Sequence, residues 1–186
     1  MKRTISAVIA ASITLTAAFA GPSQVGARRE NQQDRIAQGV KSGSLTAAGT
    51  ANLEKKESAI NKEIRTDRSL NGGKLTSQER KTVNGQQNKM SNQIYRDKHN
   101  AATQHYGNNE VDSRRYNQQQ RIANGIASGK LTAGQTARLE KGESAINQET
   151  RTDRTLNGGS LTPGEKAAIN GQQDVASGNI YRDKHN

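Results

Sequence analysis

One sequence is written twice in this chain. "RRENQQDRIAQGVKSGSLTAAGTANLEKKESAINKEIRTDRSLNGG" begins at Arg28, and "RRYNQQQRIANGIASGKLTAGQTARLEKGESAINQETRTDRTLNGG" begins at Arg114. The offset of 86 holds without a gap to the "IYRDKHN" that closes the copies at Asn100 and Asn186, and about two-thirds of the positions are identical. A repeat this long restricts the fold to two versions of one unit. The expected organisation is therefore a unit over 28–100, a polar linker "AATQHYGNNEVDS" over 101–113, and a second unit over 114–186.

A second period lies inside each copy. Shifting the first copy by 30 residues lays Gly43 on Gly73, Leu45 on Leu75, Thr46 on Thr76, Leu53 on Val83, Ile60 on Met90 and Ile64 on Ile94. Each unit thus has two similar helices, each entered through a Gly-x-Leu-Thr corner, after a shorter leading helix carrying Ile36 and Val40. Thr76-x-x-Glu79, Thr132-x-x-Gln135 and Thr162-x-x-Glu165 read as capping boxes, the last with Pro163 at the first helical position. Thr46 has Gly49 at the reciprocal position, so that box is incomplete. Leu53, Ile60 and Ile64 share a narrow helical seam, as do Val83, Met90 and Ile94. Glu57, Gln87, Glu143 and Gln173 fall at its open step. They are expected on a solvated flank, with register-setting as the alternative. The fold class is all-α: two tandem copies of a small three-helix unit.

The first twenty residues, "MKRTISAVIAASITLTAAFA", place two basic residues before an apolar run and a small-x-small cleavage site. They read as a secretory signal peptide over 1–20, which implies a bacterial periplasmic or secreted protein with no transmembrane segment in the mature chain. Its removal takes away two basic residues and no acids, so a formal charge of +11 becomes +9. The only Phe goes with it, and no Cys is present to form a disulfide. Leu, Ile, Val and Phe make up roughly 13% of the mature chain. So lean a composition argues against a deep enzyme pocket, and units this small are stabilised by oligomerisation or by a partner.

The corner "RTDRSLNGGKLTSQE" (65–79) and its counterpart (151–165) invite comparison with a calcium loop of the EF-hand kind. Such a loop needs oxygen ligands at positions 1, 3, 5 and 12, Gly at 6 and an aliphatic residue at 8. Counted from Asp67, the first half fits and the second fails; counted from Arg68, the reverse holds. An irregular loop could still hold a cation through Asp67, Asn71 and Glu79, or Asp153, Asn157 and Glu165. The competing expectation is a capped interhelical corner in which Asp67 and Glu63 pair with nearby arginines. Calcium is the one ion the sequence suggests; no other cofactor is expected.

No constellation points to catalysis. His99 and His185 near the unit ends fit a helix C-terminus better than a metal site. Glu54 with Glu57, and Glu140 with Glu143, are expected to be surface charges balanced by lysines rather than an acid–base pair. The expectation is a non-enzymatic binding protein. Its positive charge suits an anionic polymer or an unfolded polypeptide, held by Arg28, Arg29, Arg65 and Arg68 and by Arg114, Arg115, Arg151 and Arg154. Nucleic acid is disfavoured by the scarcity of aromatic side chains and by the compartment.

Leu131-Thr132-x-x-Gln135 resembles the LTxxQ motif of the Spy/CpxP group of periplasmic helical proteins, and Leu75-Thr76-x-x-Glu79 and Leu161-Thr162-x-x-Glu165 are similar with Glu for Gln. The resemblance implies a role in envelope stress, as an ATP-independent chaperone or a metal sensor.

Overall fold

The computed structural model describes residues 23–186, so the segment expected to be a signal peptide lies outside the described residues. The regular structure of the described residues is all helical. Six helices follow in order: α1 (Gln24–Ser42), α2 (Ala47–Leu70), α3 (Ser77–Lys98), α4 (Glu110–Ala127), α5 (Ala133–Leu156) and α6 (Pro163–His185). None of them is long and apolar enough to cross a membrane.

The helix starts follow the caps. Thr76, Thr132 and Thr162 each accept a hydrogen bond from the backbone N–H three residues on, and the side-chain oxygens of Glu79, Gln135 and Glu165 each accept one from the cap residue's backbone N–H. Thr46 caps α2 from one side only. Helix α4 begins earlier than the repeat alignment suggests: Asn109 caps it, so the last four residues of the expected linker are helical. Gly43 and Gly129 take the left-handed conformation after α1 and α4, at φ of 76° and 68°. The chain then folds back so tightly that a Cβ at Gly39 or Gly125 would stand 2.6 Å from Leu45 or Leu131.

Each helix of the first copy that packs across the repeat packs on its own counterpart, α1 on α4 and α2 on α5, while α3 and α6 lie against the α1–α2 and α4–α5 pairs. That is the signature of a two-fold relation, here within one chain. The hydrogen bonds repeat with it. Gln32 donates to the Gln87 carbonyl and Gln118 to the Gln173 carbonyl, both at 2.7 Å; Gln87 donates to the Val25 carbonyl and Gln173 to the Val111 carbonyl, both at 2.9 Å. Helices α2 and α5 run antiparallel, with Glu54 facing Glu140 and Ser58 against Gly134.

The predicted seam is buried: Leu53, Val83 and Ile94 are inaccessible to solvent and Ile60, Ile64 and Met90 nearly so. Each such side chain contributes about 2 kcal/mol by leaving water. The main cluster draws on both copies, from Val25 to Ile180. In the second copy Thr150 and Ala176 replace Ile64 and Met90. There Val111, Ile146 and Ile169 form a separate, smaller cluster.

Candidate functional site

At the corner after α2, the Asn71 amide donates to the Asp67 carbonyl at 2.9 Å and to both carboxylate oxygens of Glu79 at 2.8 and 3.0 Å. All three partners are acceptors, so the amide must present its NH₂ group there. Glu79 also takes the Thr76 N–H at 2.7 Å, and these bonds hold its carboxyl below the usual range. Asn157 and Glu165 repeat the arrangement. The six residues named as cation ligands are thus brought to the two corners, but an amide N–H stands where a ligand oxygen would have to point. Asp67 and Asp153 make no ion pair among the described residues. Burial and the neighbouring carboxylates of Glu79 and Glu63 raise Asp67, and the same influences from Glu165 and Glu149 raise Asp153. The expected pairing of Asp67 and Glu63 with arginines does not form among the described residues: Glu63 accepts from Gln86 at 2.7 Å, and Arg68 reaches the Ser23 hydroxyl. No three His, Asp or Glu residues converge to hold a metal among the described residues.

The basic residues divide unequally. All six ion pairs among the described residues lie in the second copy or at its entry. Arg114 is held by Glu110 and Asp174, and Arg154 by Asp112. Arg115 is not a surface group at all. It is buried, donates to Asn147 at 2.6 Å and to the His105 carbonyl, and sits 3.6 Å from Asp112. Their partners have no acidic counterparts one repeat earlier, where Glu110, Asp112 and Asp174 become Gln24, Gly26 and Asn88. Arg29 and Arg65 are exposed, as Arg151 is; among the described residues Arg28 reaches only the Asn88 amide oxygen, and Arg68 only the Ser23 hydroxyl. Residues 23–100 carry fifteen Lys and Arg against eight Asp and Glu, a net +7; residues 101–186 carry eleven against nine, a net +2. The first turn of α1 holds no acid either, so the helix dipole adds to this positive end.

The sequence reading missed a cluster at the centre of the molecule. Glu54, Glu57, Glu140 and Glu143 are buried where α2 meets α5, not on the surface. Gln33 donates to Glu54 at 3.1 Å and Gln119 to Glu140 at 2.9 Å. The second oxygen of each, and both oxygens of Glu57 and Glu143, have no hydrogen-bond partner among the described residues. Burial pushes Glu54 up to about 8, and Glu57 and Glu143 up to about 7, against the opposing charge of Arg29 on Glu57 and of Arg115 and Arg121 on Glu143. Burial raises Glu140 well above the carboxylate range, and the Glu143 and Glu54 charges add to the effect. A neutral carboxylic acid is far cheaper to bury than its anion. One signal was present: Glu57 occupies the open step between Leu53 and Ile60, on the face that is buried.

His99 and His185 end their helices as expected. Each ring stacks on the tyrosine four residues earlier, with centroids 4.2 Å apart, and its Nδ1 lies against that tyrosine's carbonyl oxygen.

Compared with known proteins, the chain matches no family model, no curated protein and no solved structure.

Proposed function

We propose that this is a non-enzymatic secreted or periplasmic binding protein, in which two three-helix units (28–100 and 114–186) joined by the 101–113 segment follow a cleavable leader, and that it engages anionic polymers through the first unit. The observation that carries this reading is that, among the described residues, Arg28 and Arg68 make no ion pair, whereas their counterparts Arg114 and Arg154 are paired with carboxylates. Charge left unpaired over one end of a helical surface steers and holds polyanions. The resemblance to the Spy/CpxP group at the Leu-Thr corners is compatible with an envelope role. An anionic polymer is favoured over an unfolded polypeptide at this end, because charge rather than exposed apolar surface distinguishes it.

The test is binding to heparin or polyphosphate across a salt series. Affinity should fall steeply with salt, and replacing both Arg28 and Arg68 by Gln should reduce the log–log slope by about 1.5, near the counterion release of two phosphate contacts. Replacing Arg114 and Arg154 should leave the slope unchanged. Binding indifferent to salt would defeat the reading.

A second reading, a cation held at the corners, draws on the proximity of Asp67 to Glu79 and Glu63. It requires millimolar calcium to raise the melting temperature and chelator to reverse the rise. The amide N–H at Glu79 argues for no shift.

A further inference from the structure

The two-fold relation gives each copy one groove, and the chain itself fills one of them. In the second copy the segment 102–107, which belongs to no helix, lies beside Arg115, Arg151 and Thr46. Gln104 N–H donates to the Gly43 carbonyl at 2.8 Å, the His105 carbonyl accepts from Arg115, and the Arg115 guanidinium lies 4.9 Å from the centre of the Tyr106 ring. Tyr116 meets the same ring edge-on.

The equivalent groove of the first copy, about 310 Å³, is lined by Arg29, Arg65, Asn61, Gly129 and Thr132. No described residue occupies the place of 102–107. A Cβ at Gly43 would meet the Gln104 carbonyl oxygen at 2.9 Å, whereas one at Gly129 would meet nothing within 4 Å. Arg29 is exposed where Arg115 is buried. The counterparts of Gln104–Tyr106 one repeat earlier are Ala18–Ala20, which fall in the leader that the sequence predicts to be removed. Among the described residues the groove then has no internal occupant.

We propose that this groove docks an extended, uncharged polypeptide segment of a partner protein, whose backbone N–H meets the Gly129 carbonyl and whose aromatic side chain, two residues on, lies over Arg29. The bonding pattern is the one the chain already makes with its own linker. Charge decides the class of ligand. Glu30 and Asp34 line the groove with Arg29 and Arg65, so the groove is balanced and favours a neutral peptide over a polyanion. The proposal goes beyond the polyanion reading, which leans on Arg28 and Arg68 at the α1 start.

The experiment titrates the mature chain, isotope-labelled for NMR, with a synthetic peptide of the linker sequence AATQHYGNN. The linker at Arg115 is tethered at high effective concentration, so the free peptide is directed to the open groove. Saturable shifts are expected at Gly129, at the Arg29 Nε–H and at the Asn61 amide. Arg29→Ala, and Tyr→Ala in the peptide, should each weaken binding about tenfold, as the loss of one charge-assisted hydrogen bond or ring contact would. Affinity should change by no more than about twofold over a salt range that abolishes polyanion binding. The absence of saturable shifts at millimolar peptide, or shifts indifferent to Arg29→Ala, would overturn the proposal. Concentration-dependent dimers that Arg29→Ala abolishes would also overturn it, by giving the groove to the linker of a second copy. Peptide failure with intact heparin binding removes this proposal alone, and peptide binding without heparin binding upholds it while removing the polyanion reading.

Discussion

Glu54 and Glu140 face each other across α2 and α5 with one oxygen apiece unbonded, and this sets an unusual pH response. Their folded pKa values lie above the ordinary carboxylate value, so the native state holds protons that the unfolded chain releases near 4.5. For Glu54 the stabilisation is fully present below that pH and is lost progressively as pH rises from there through about 8, and for Glu57 and Glu143 through about 7. The slope is on the order of 1.4 kcal/mol per pH unit for each carboxyl in that window. The melting temperature should therefore fall between pH 5 and pH 8.5, and replacing Glu54 and Glu140 together by Gln should flatten the profile by supplying the neutral form permanently. A wild-type profile already flat over that range would show the four carboxyls to be solvated. Asp112 behaves oppositely. Its bonds to Asn109 and Arg154 outweigh burial and hold it low, so its contribution disappears only under stronger acid. The two equivalent arginines make a second residue-scale test. Arg115→Ala removes the donor of the Asn147 amide oxygen and of the His105 carbonyl in a buried site and should cost about 3 kcal/mol in urea unfolding. Arg29→Ala, at the exposed counterpart, should cost close to nothing.

Among the four helices that begin at a Leu-Thr corner, α2 is the one without a reciprocal cap bond. Its cap Thr46 receives the Gly49 N–H at 3.1 Å, but Gly49 has no side chain to return the bond. In α5 the counterpart Gln135 bonds the Thr132 N–H at 2.9 Å and the Asp183 carbonyl at 3.1 Å. Gly49→Gln should reproduce this and also remove a helix-interior glycine, raising stability by about 1 kcal/mol. Thermal or chemical unfolding that shows no gain would mean that the α2 start is constrained by its packing instead. Helix starts of this kind were readable directly, because a cap needs only residues three apart. The corner between α2 and α3 was only partly readable. Its residues could satisfy either a cation or a cap, and the direction of the Asn71 amide, which no spacing encodes, favours the cap.

At the scale of the whole molecule, the two copies share one core. Leu53 and Ile60 from the first and Ile122 and Leu139 from the second belong to a single cluster. Units that bury their apolar seams against each other are expected to unfold together, despite a linker between them. Calorimetry of the mature chain should give one transition with matching calorimetric and van't Hoff enthalpies; two resolved transitions would mean that the units stand alone. The shared core also explains how so few large apolar residues suffice, since α1 and α2 are covered by α4 and α5 of the other copy as well as by α3 of their own.

The repeat, the six helical stretches, the threonine caps at the Leu-Thr corners and the apolar seams follow from the order of residues, because helix periodicity and capping act over three to seven positions. Which polar residues would be buried did not follow. Glu57 sits on the seam and Glu54 beside it, yet whether they meet water or another protein surface depends on α5, 86 residues further on in the alignment. Docking of the copies made that choice. It also made two nearly identical units unequal: the linker can reach only one of the two grooves, so Arg115 is sealed beneath it while Arg29 is left facing solvent. Local order specifies elements through short-range hydrogen bonds, whereas burial is a property of the surfaces those elements bring together.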